Sequence, residues 1–262
     1  MKPSSILTSL FAISLVSTTG VMAGESVNAS AKSGPAVEVP YEANRGLLTI
    51  QGPTGLFINP TSATLPKGAF TAQYCLLLPD FDFKDVIAHG ALLSYGVTDW
   101  LEFGAIGLYL QDADLWCAGP MVRLRLLKHD GWIPQFSIGG YGKFGDRALT
   151  QGSAYAVLTE RFEVNCGPLK SVAFDAGVRE TWTDLPVGPN DSFRGYFGME
   201  VQLPARFYVI GEVGTKSSVD AVVPWAGGFQ WRAGGINVST AAVQTVETGR
   251  KVGFFFGIGT QF

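Results

Sequence analysis

The chain has 262 residues, of which 47% are hydrophobic and only 16% charged, too few charges for an ordinary water-exposed surface. Its formal net charge of −3 argues against an electrostatic nucleic-acid binder. Beyond the N-terminal stretch there is no run of eighteen apolar residues, which argues against helical membrane spans.

The first residues read as a secretory signal. Lys2 supplies a positive start, Ile6 to Val16 an apolar core, and Val21-Met22-Ala23 small residues for cleavage after Ala23. The residue after Ala23 is Gly24 and not Cys, so lipid anchoring is not expected. Residues 24–45 are polar and aperiodic and are expected to form a flexible periplasmic leader. Residues 46–68 differ. They are apolar at Leu47, Leu48, Ile50, Leu56, Phe57 and Ile58, and punctuated by Pro53, Pro60 and Pro66. Prolines this dense forbid a long ladder strand and point to a structured loop or a short inner strand. The segment is expected to fold at the periplasmic mouth, or inside the lumen, of a barrel built from the residues beyond 68. There it would act as a brace or as a gate.

From Ala69 the chain becomes a procession of strands separated by turn signals. The pattern predicts strands at 69–77, 86–95, 100–110, 116–127, 133–144, 153–164, 170–182, 193–203, 206–215, 226–233, 236–245 and 250–262. Their lengths suit tilted membrane strands of about 9–11 residues. One alternate set of connections is short, and the other is mostly longer, with short members near Asp112 and Thr248. Outer-membrane barrels pair short periplasmic turns with longer external loops. Both termini are then expected on the periplasmic side.

Several strands separate charge from grease. Leu101 and Phe103 oppose Glu102; Val122 and Leu124 oppose Arg123 and Arg125; Phe174 and Val178 oppose Asp175 and Arg179. Phe193 and Phe197 oppose Arg194 and Glu200, Val209 and Val213 oppose Glu212, and Phe229 and Trp231 oppose Arg232. A charge facing mid-bilayer lipid costs about 2–4 kcal/mol, so these nine charged residues are expected to line the lumen. They either fill it as ion pairs or line a selective pore. Strand 153–164 is ambiguous, because Glu160 and Arg161 are adjacent. Trp100, Trp116, Trp132, Trp182 and Trp225 lie near strand ends, as interfacial girdles do.

The last strand alternates most clearly. Phe254, Phe256, Ile258 and Phe262 share one face, against Gly253, Phe255, Gly257 and Gly259 on the other. That terminal pattern resembles the signature that barrel assembly machinery reads in outer-membrane proteins.

Chemistry is sparse. Cys75, Cys117 and Cys166 are an odd number without metal-ligand spacing, and are expected to be inert and free of intramolecular disulfides. His89 and Ser94 lie five residues apart on one strand, hence on opposite faces, and His89 is expected to be a packed or lumen residue. No G-x-S-x-G, H-E-x-x-H or phosphate-binding loop occurs. Neither cofactor nor metal is expected.

Two motifs carry a resemblance. T-G-L-x-x-x-P-T-x-x-x-L-P-x-G at Thr54–Gly68 and S-Y-G-V-T-D-W-L-E-F-G-A at Ser94–Ala105 are similar to the opening of the YjbH-like outer-membrane proteins. The resemblance covers about residues 46–110 and implies a barrel linked to exopolysaccharide production, with polysaccharide or secretion components as partners.

The fold expected is all-β: an antiparallel transmembrane barrel over 69–262, of about twelve strands with ten or fourteen as alternatives. Its expected role is non-enzymatic, channel-forming or structural, in contact with outer-membrane lipid. A small-barrel outer-membrane enzyme and a secreted soluble β-sandwich are the rivals. Deleting Phe262 should impair assembly, leaving a protease-sensitive periplasmic form. Fractionation and heat-modified gel mobility check this; a normally assembled barrel would contradict it.

Overall fold

The computed structural model describes residues 47–262, except 51, 80–86, 112, 131, 147–149, 186–187, 190, 218–221, 234 and 246–250. The signal sequence and the leader expected over 1–45 lie outside the described residues. Twelve long strands form the wall: β1 (Phe70–Leu78), β2 (Ala88–Thr98), β3 (Leu101–Leu110), β4 (Leu115–Leu127), β5 (Gln135–Gly145), β6 (Thr150–Cys166), β7 (Leu169–Leu185), β8 (Ser192–Gln202), β9 (Phe207–Gly214), β10 (Trp225–Ala233), β11 (Ile236–Gln244) and β12 (Gly253–Gln261). A two-residue piece, Gly188–Pro189, pairs back onto the end of β7.

Every strand pairs antiparallel with its chain neighbour, and β1 pairs with β12 from Thr71↔Gln261 to Leu78↔Phe254. The sheet therefore closes on itself. Closure removes the edges that would leave N–H and C=O groups unpaired in hydrocarbon. No helix among the described residues is long and apolar enough to cross a membrane. The end carrying Phe70 and Gln261 forms the lower rim, and the opposite end the upper rim.

Alternation sorts each strand into two files. Outward positions are apolar and exposed: Leu93, Phe103, Val122, Phe144, Leu158, Phe193, Phe197, Phe229 and Ile258. Among the tryptophans, Trp100, Trp132 and Trp231 gather toward the lower rim and Trp116, Trp182 and Trp225 toward the upper. Such an exterior suits a hydrocarbon band between two interfaces.

Strand bounds fall within a few residues of the sequence expectation. The largest differences, three residues each, are at the end of β2, the start of β6, the end of β7 and the start of β12; β6 runs on to Cys166. The long β6 resolves its adjacent charges. β5 begins at Gln135, opposite Thr159, so residues 160–166 extend past its end. There Glu160 lies 3.9 Å from His129, while Arg161 donates to Gln202 at 2.7 Å and pairs with Glu163 at 2.8 Å.

The three cysteines are free, Cys75 and Cys117 buried and Cys166 exposed. His89 faces outward, not into the lumen, and packs between the rings of Tyr74 and Tyr109. Its Nδ1 lies 2.6 Å from the Tyr74 hydroxyl. Ser94 points inward and donates to Glu102 at 2.9 Å, so His89 and Ser94 make no pair.

Replacing Phe197, which is 48% exposed in the middle of β8, by Arg should destabilise the lipid-embedded barrel by about 2–4 kcal/mol. Denaturant titration of protein folded into vesicles measures this; an unchanged midpoint would place that wall outside the hydrocarbon.

Candidate functional site

The site is the barrel interior, and the chain itself occupies it. The described residues of 47–65 are almost wholly buried: Leu56, Phe57, Thr54, Ser62 and Leu65 are at 0% exposure. Pro53, Pro60 and Pro66 keep this stretch out of any ladder, and it folds instead as turns with isolated bridges Leu48↔Thr54 and Gly55↔Pro60. Among the described residues its internal backbone bonds are few: Thr49 N–H to Pro53 O at 3.0 Å, Ile50 to Phe57 at 2.8 Å, Gly52 to Thr49 at 3.1 Å, Gly55 to Leu47 at 2.9 Å and Leu56 to Asn59 at 3.0 Å. The remaining backbone groups need partners, because a buried unpaired amide costs about 1–3 kcal/mol.

The wall supplies them. Glu212 on β9 accepts the N–H groups of Phe57, Ile58 and Asn59 at 2.7, 2.6 and 3.1 Å, and the Asn59 side-chain amide at 2.9 Å. One carboxylate thus satisfies a whole turn. Arg123 on β4 does the converse. Its guanidinium donates to Thr54 O at 2.7 Å, to Thr54 Oγ1 at 3.0 Å, to Ala63 O, and to the Tyr155 hydroxyl at 2.9 Å. Arg179 donates to Ile58 O at 3.1 Å, Tyr196 to Pro60 O at 2.9 Å, and Gln230 to Leu56 O at 3.0 Å. Gln135 and Ser137 both donate to Ser62 O, at 2.7 and 2.5 Å. The Ser62 N–H donates to Thr159, which donates on to Asp175 at 2.5 Å. Glu102 accepts the Leu65 N–H at 3.1 Å, and Arg232 pairs with Glu200 beside Gln230.

All nine charged residues singled out from alternation are buried: Glu102, Arg123, Arg125, Asp175, Arg179, Arg194, Glu200, Glu212 and Arg232. Direct bonds to residues 47–65 come from Glu102, Arg123, Arg179 and Glu212. Asp175 acts through Thr159, and Glu200 and Arg232 hold each other. Lys143 on β5, missed in the sequence, is also buried, with its ammonium 4.9 Å from the centre of the Tyr141 ring. The alternation Tyr141, Lys143 against Phe144 carried that signal. Alternation sets Tyr196 opposite Phe197 and Gln230 opposite Phe229, and both are buried. Tyr155 and Gln135 were missed as well, being uncharged on strands whose alternation is less clear.

Close approach explains two glycines. A Cβ on Gly198 would sit 2.1 Å from Leu56 Cδ1, and one on Gly96 would sit 2.0 Å from the Pro66 carbonyl oxygen. The wall is bare where the inner segment touches it.

No family model and no curated protein matches the chain. Among solved structures it is similar to the KdgM porin in complex with disordered oligogalacturonate, with a TM-score of 0.54 at 9% identity, over 74% of this chain and 99% of that one. CdiB from Acinetobacter baumannii aligns with a TM-score of 0.34 at 10% identity, over 74% of this chain and 47% of that one. The likeness to KdgM shows the fold: a closed antiparallel barrel of porin type.

Glu212→Ala should leave four buried donors unpaired and destabilise the inner segment by about 3 kcal/mol or more. Limited proteolysis should then cut within residues 53–60, which the parent protein protects. Equal protection in both would show that the carboxylate is dispensable.

Proposed function

We propose that this chain is a channel of the outer membrane that carries its own plug, residues 47–65. The observation that supports this is the bonding across the lumen. Polar contacts from eight consecutive wall strands, β3 to β10, hold a segment without regular structure. Such contacts can be exchanged for water or solute when the segment shifts, at a net cost of about 1 kcal/mol each. A well-packed apolar core offers no such exchange. The apolar exterior and the porin-type fold agree with a channel.

In this reading the lower rim faces the periplasm of a Gram-negative-type cell, and the chain is not an enzyme. Phe254, Phe256, Ile258 and Phe262 are read by the barrel assembly machinery. The YjbH-like resemblance at Thr54–Gly68 and Ser94–Ala105 adds a role in surface-polysaccharide export, which comparison of surface polysaccharide in deletion and parent cells would test.

A disulfide lock tests the plug. Leu56 Cγ lies 3.4 Å from the position of a Cβ on Gly198, so Leu56→Cys with Gly198→Cys in a Cys166→Ser background should tether the segment to β8. Planar-bilayer conductance should be near zero when oxidised and rise at least tenfold on reduction. Equal conductance in the two states, with a lower melting temperature on reduction, would leave residues 47–65 as a brace only.

A further inference from the structure

The lumen is not uniform around its circumference. Four adjacent strands, β11, β12, β1 and β2, contain no Asp, Glu, Lys or Arg. Their inward residues are apolar or small over the upper part: Val243 and Ala241, Phe255, Leu77 and Cys75, and Leu92. Among the described residues, every buried formal charge of the wall lies on β3 to β10.

The inner segment respects this division. Three of its large apolar side chains, Leu47, Leu48 and Phe57, meet the uncharged sector, while Leu56 packs on Gly198 of β8. Phe57 packs edge-on against Phe255 with ring centroids 5.9 Å apart, and Leu48 reaches to Gly90, which Cys75 also flanks. Leu47 lies over Gly259 on the same sector. Its carbonyl oxygens meet the charged sector. Thr54, Leu56, Ile58, Pro60, Ser62 and Ala63 all present their oxygens to donors from Arg123, Gln230, Arg179, Tyr196, Gln135 and Ser137. The segment is an amphipathic filling, greasy on one side and on the other carrying both carbonyl acceptors and the N–H donors that Glu212, Thr159 and Glu102 accept.

Whatever takes its place must satisfy both sides. A bare hydrocarbon would leave Arg123 and Arg179 buried without the acceptors that residues 54–63 now give them, which is costly. A purely hydrophilic sugar chain would leave Phe255, Leu92 and Val243 against polar groups and gain nothing from them. We propose that the cargo of this barrel is a single-chain amphiphile. Its hydrocarbon tail lies along β11, β12, β1 and β2, and its anionic, oxygen-rich head takes the donors now held by the carbonyls of residues 54–63, while hydroxyl groups on that head donate to Glu212 in place of residues 57–59. This rests on the channel reading and names its cargo, in place of the polysaccharide that the YjbH-like resemblance implies.

The locked variant, in nanodiscs, separates the two ideas. The probe is an eleven-carbon carboxylate bearing a dansyl group, with dansylglycine as the tailless control. Reduced protein should show saturable fluorescence enhancement with the long probe and not with dansylglycine. Oxidised protein should bind the probe at least tenfold more weakly. Laurate should displace the probe and a galacturonate trimer should not. If reduction opens conductance but probe binding is the same in both states, or the trimer competes as well as laurate, the amphiphile is wrong and the channel stands. If reduction changes neither conductance nor binding, both fall. The unmodified chain gives a second measurement. A carboxylate with a photoreactive tail should label peptides of β12, β1 or β2 at inward positions such as Phe255 or Leu92. Labelling confined to outward residues would overturn the assignment.

Discussion

A charge removed from water must be compensated, and so must a backbone amide; in this barrel each compensates the other. Glu212 is held by three main-chain N–H groups and one side-chain amide of a turn that would otherwise lie unpaired in the lumen. Arg123 likewise commits its guanidinium to carbonyl and hydroxyl oxygens. The wall charges and the irregular inner segment are therefore interdependent. Removing the segment would strand the ions, and neutralising the ions would strand the peptide groups. Arg232 with Glu200 is an ion pair of the kind that alternation leads one to expect, but Glu212 and Arg123 are matched to backbone instead.

Much of this was legible because lipid is an unforgiving solvent. A period of two with grease on one face admits charge only on the other, so Glu102, Arg123, Asp175 and Glu212 could be assigned to the interior from alternation alone. The same rule says less about uncharged polar residues. It sets Tyr196 and Gln230 on the lean face, but Gln135 and Tyr155 became visible only once the segment that Gln135 bonds, and the arginine that donates to Tyr155, were in place. The inner segment itself was half legible. Its prolines exclude a long strand and its leucines exclude a free linker, but sequence left the mouth and the lumen both open. Packing decides for the lumen, because Leu56 and Phe57 find bare or aromatic wall at Gly198 and Phe255. His89 shows the limit from the other side. Its face depends on strand register, and tyrosines on β1 and β3 then make the outward position a packed one.

The distribution of charge around the wall has a consequence for how the barrel is made. The seam at which the first and last strands of the wall meet, β1 with β12, sits at the middle of the uncharged sector. A nascent sheet inserting into a bilayer must at some stage be open along that line, with its inner face briefly turned toward lipid. Here the flanking strands bring no ionised side chain to that opening, while the charged strands lie on the far side of the curve. Residues 47–65 lead directly into β1, so they arrive at the seam together with the strand that closes it. Once β1 and β12 have joined, nothing but the rims gives access to the interior. The segment that fills the lumen and the strand that closes the wall therefore reach the uncharged seam together.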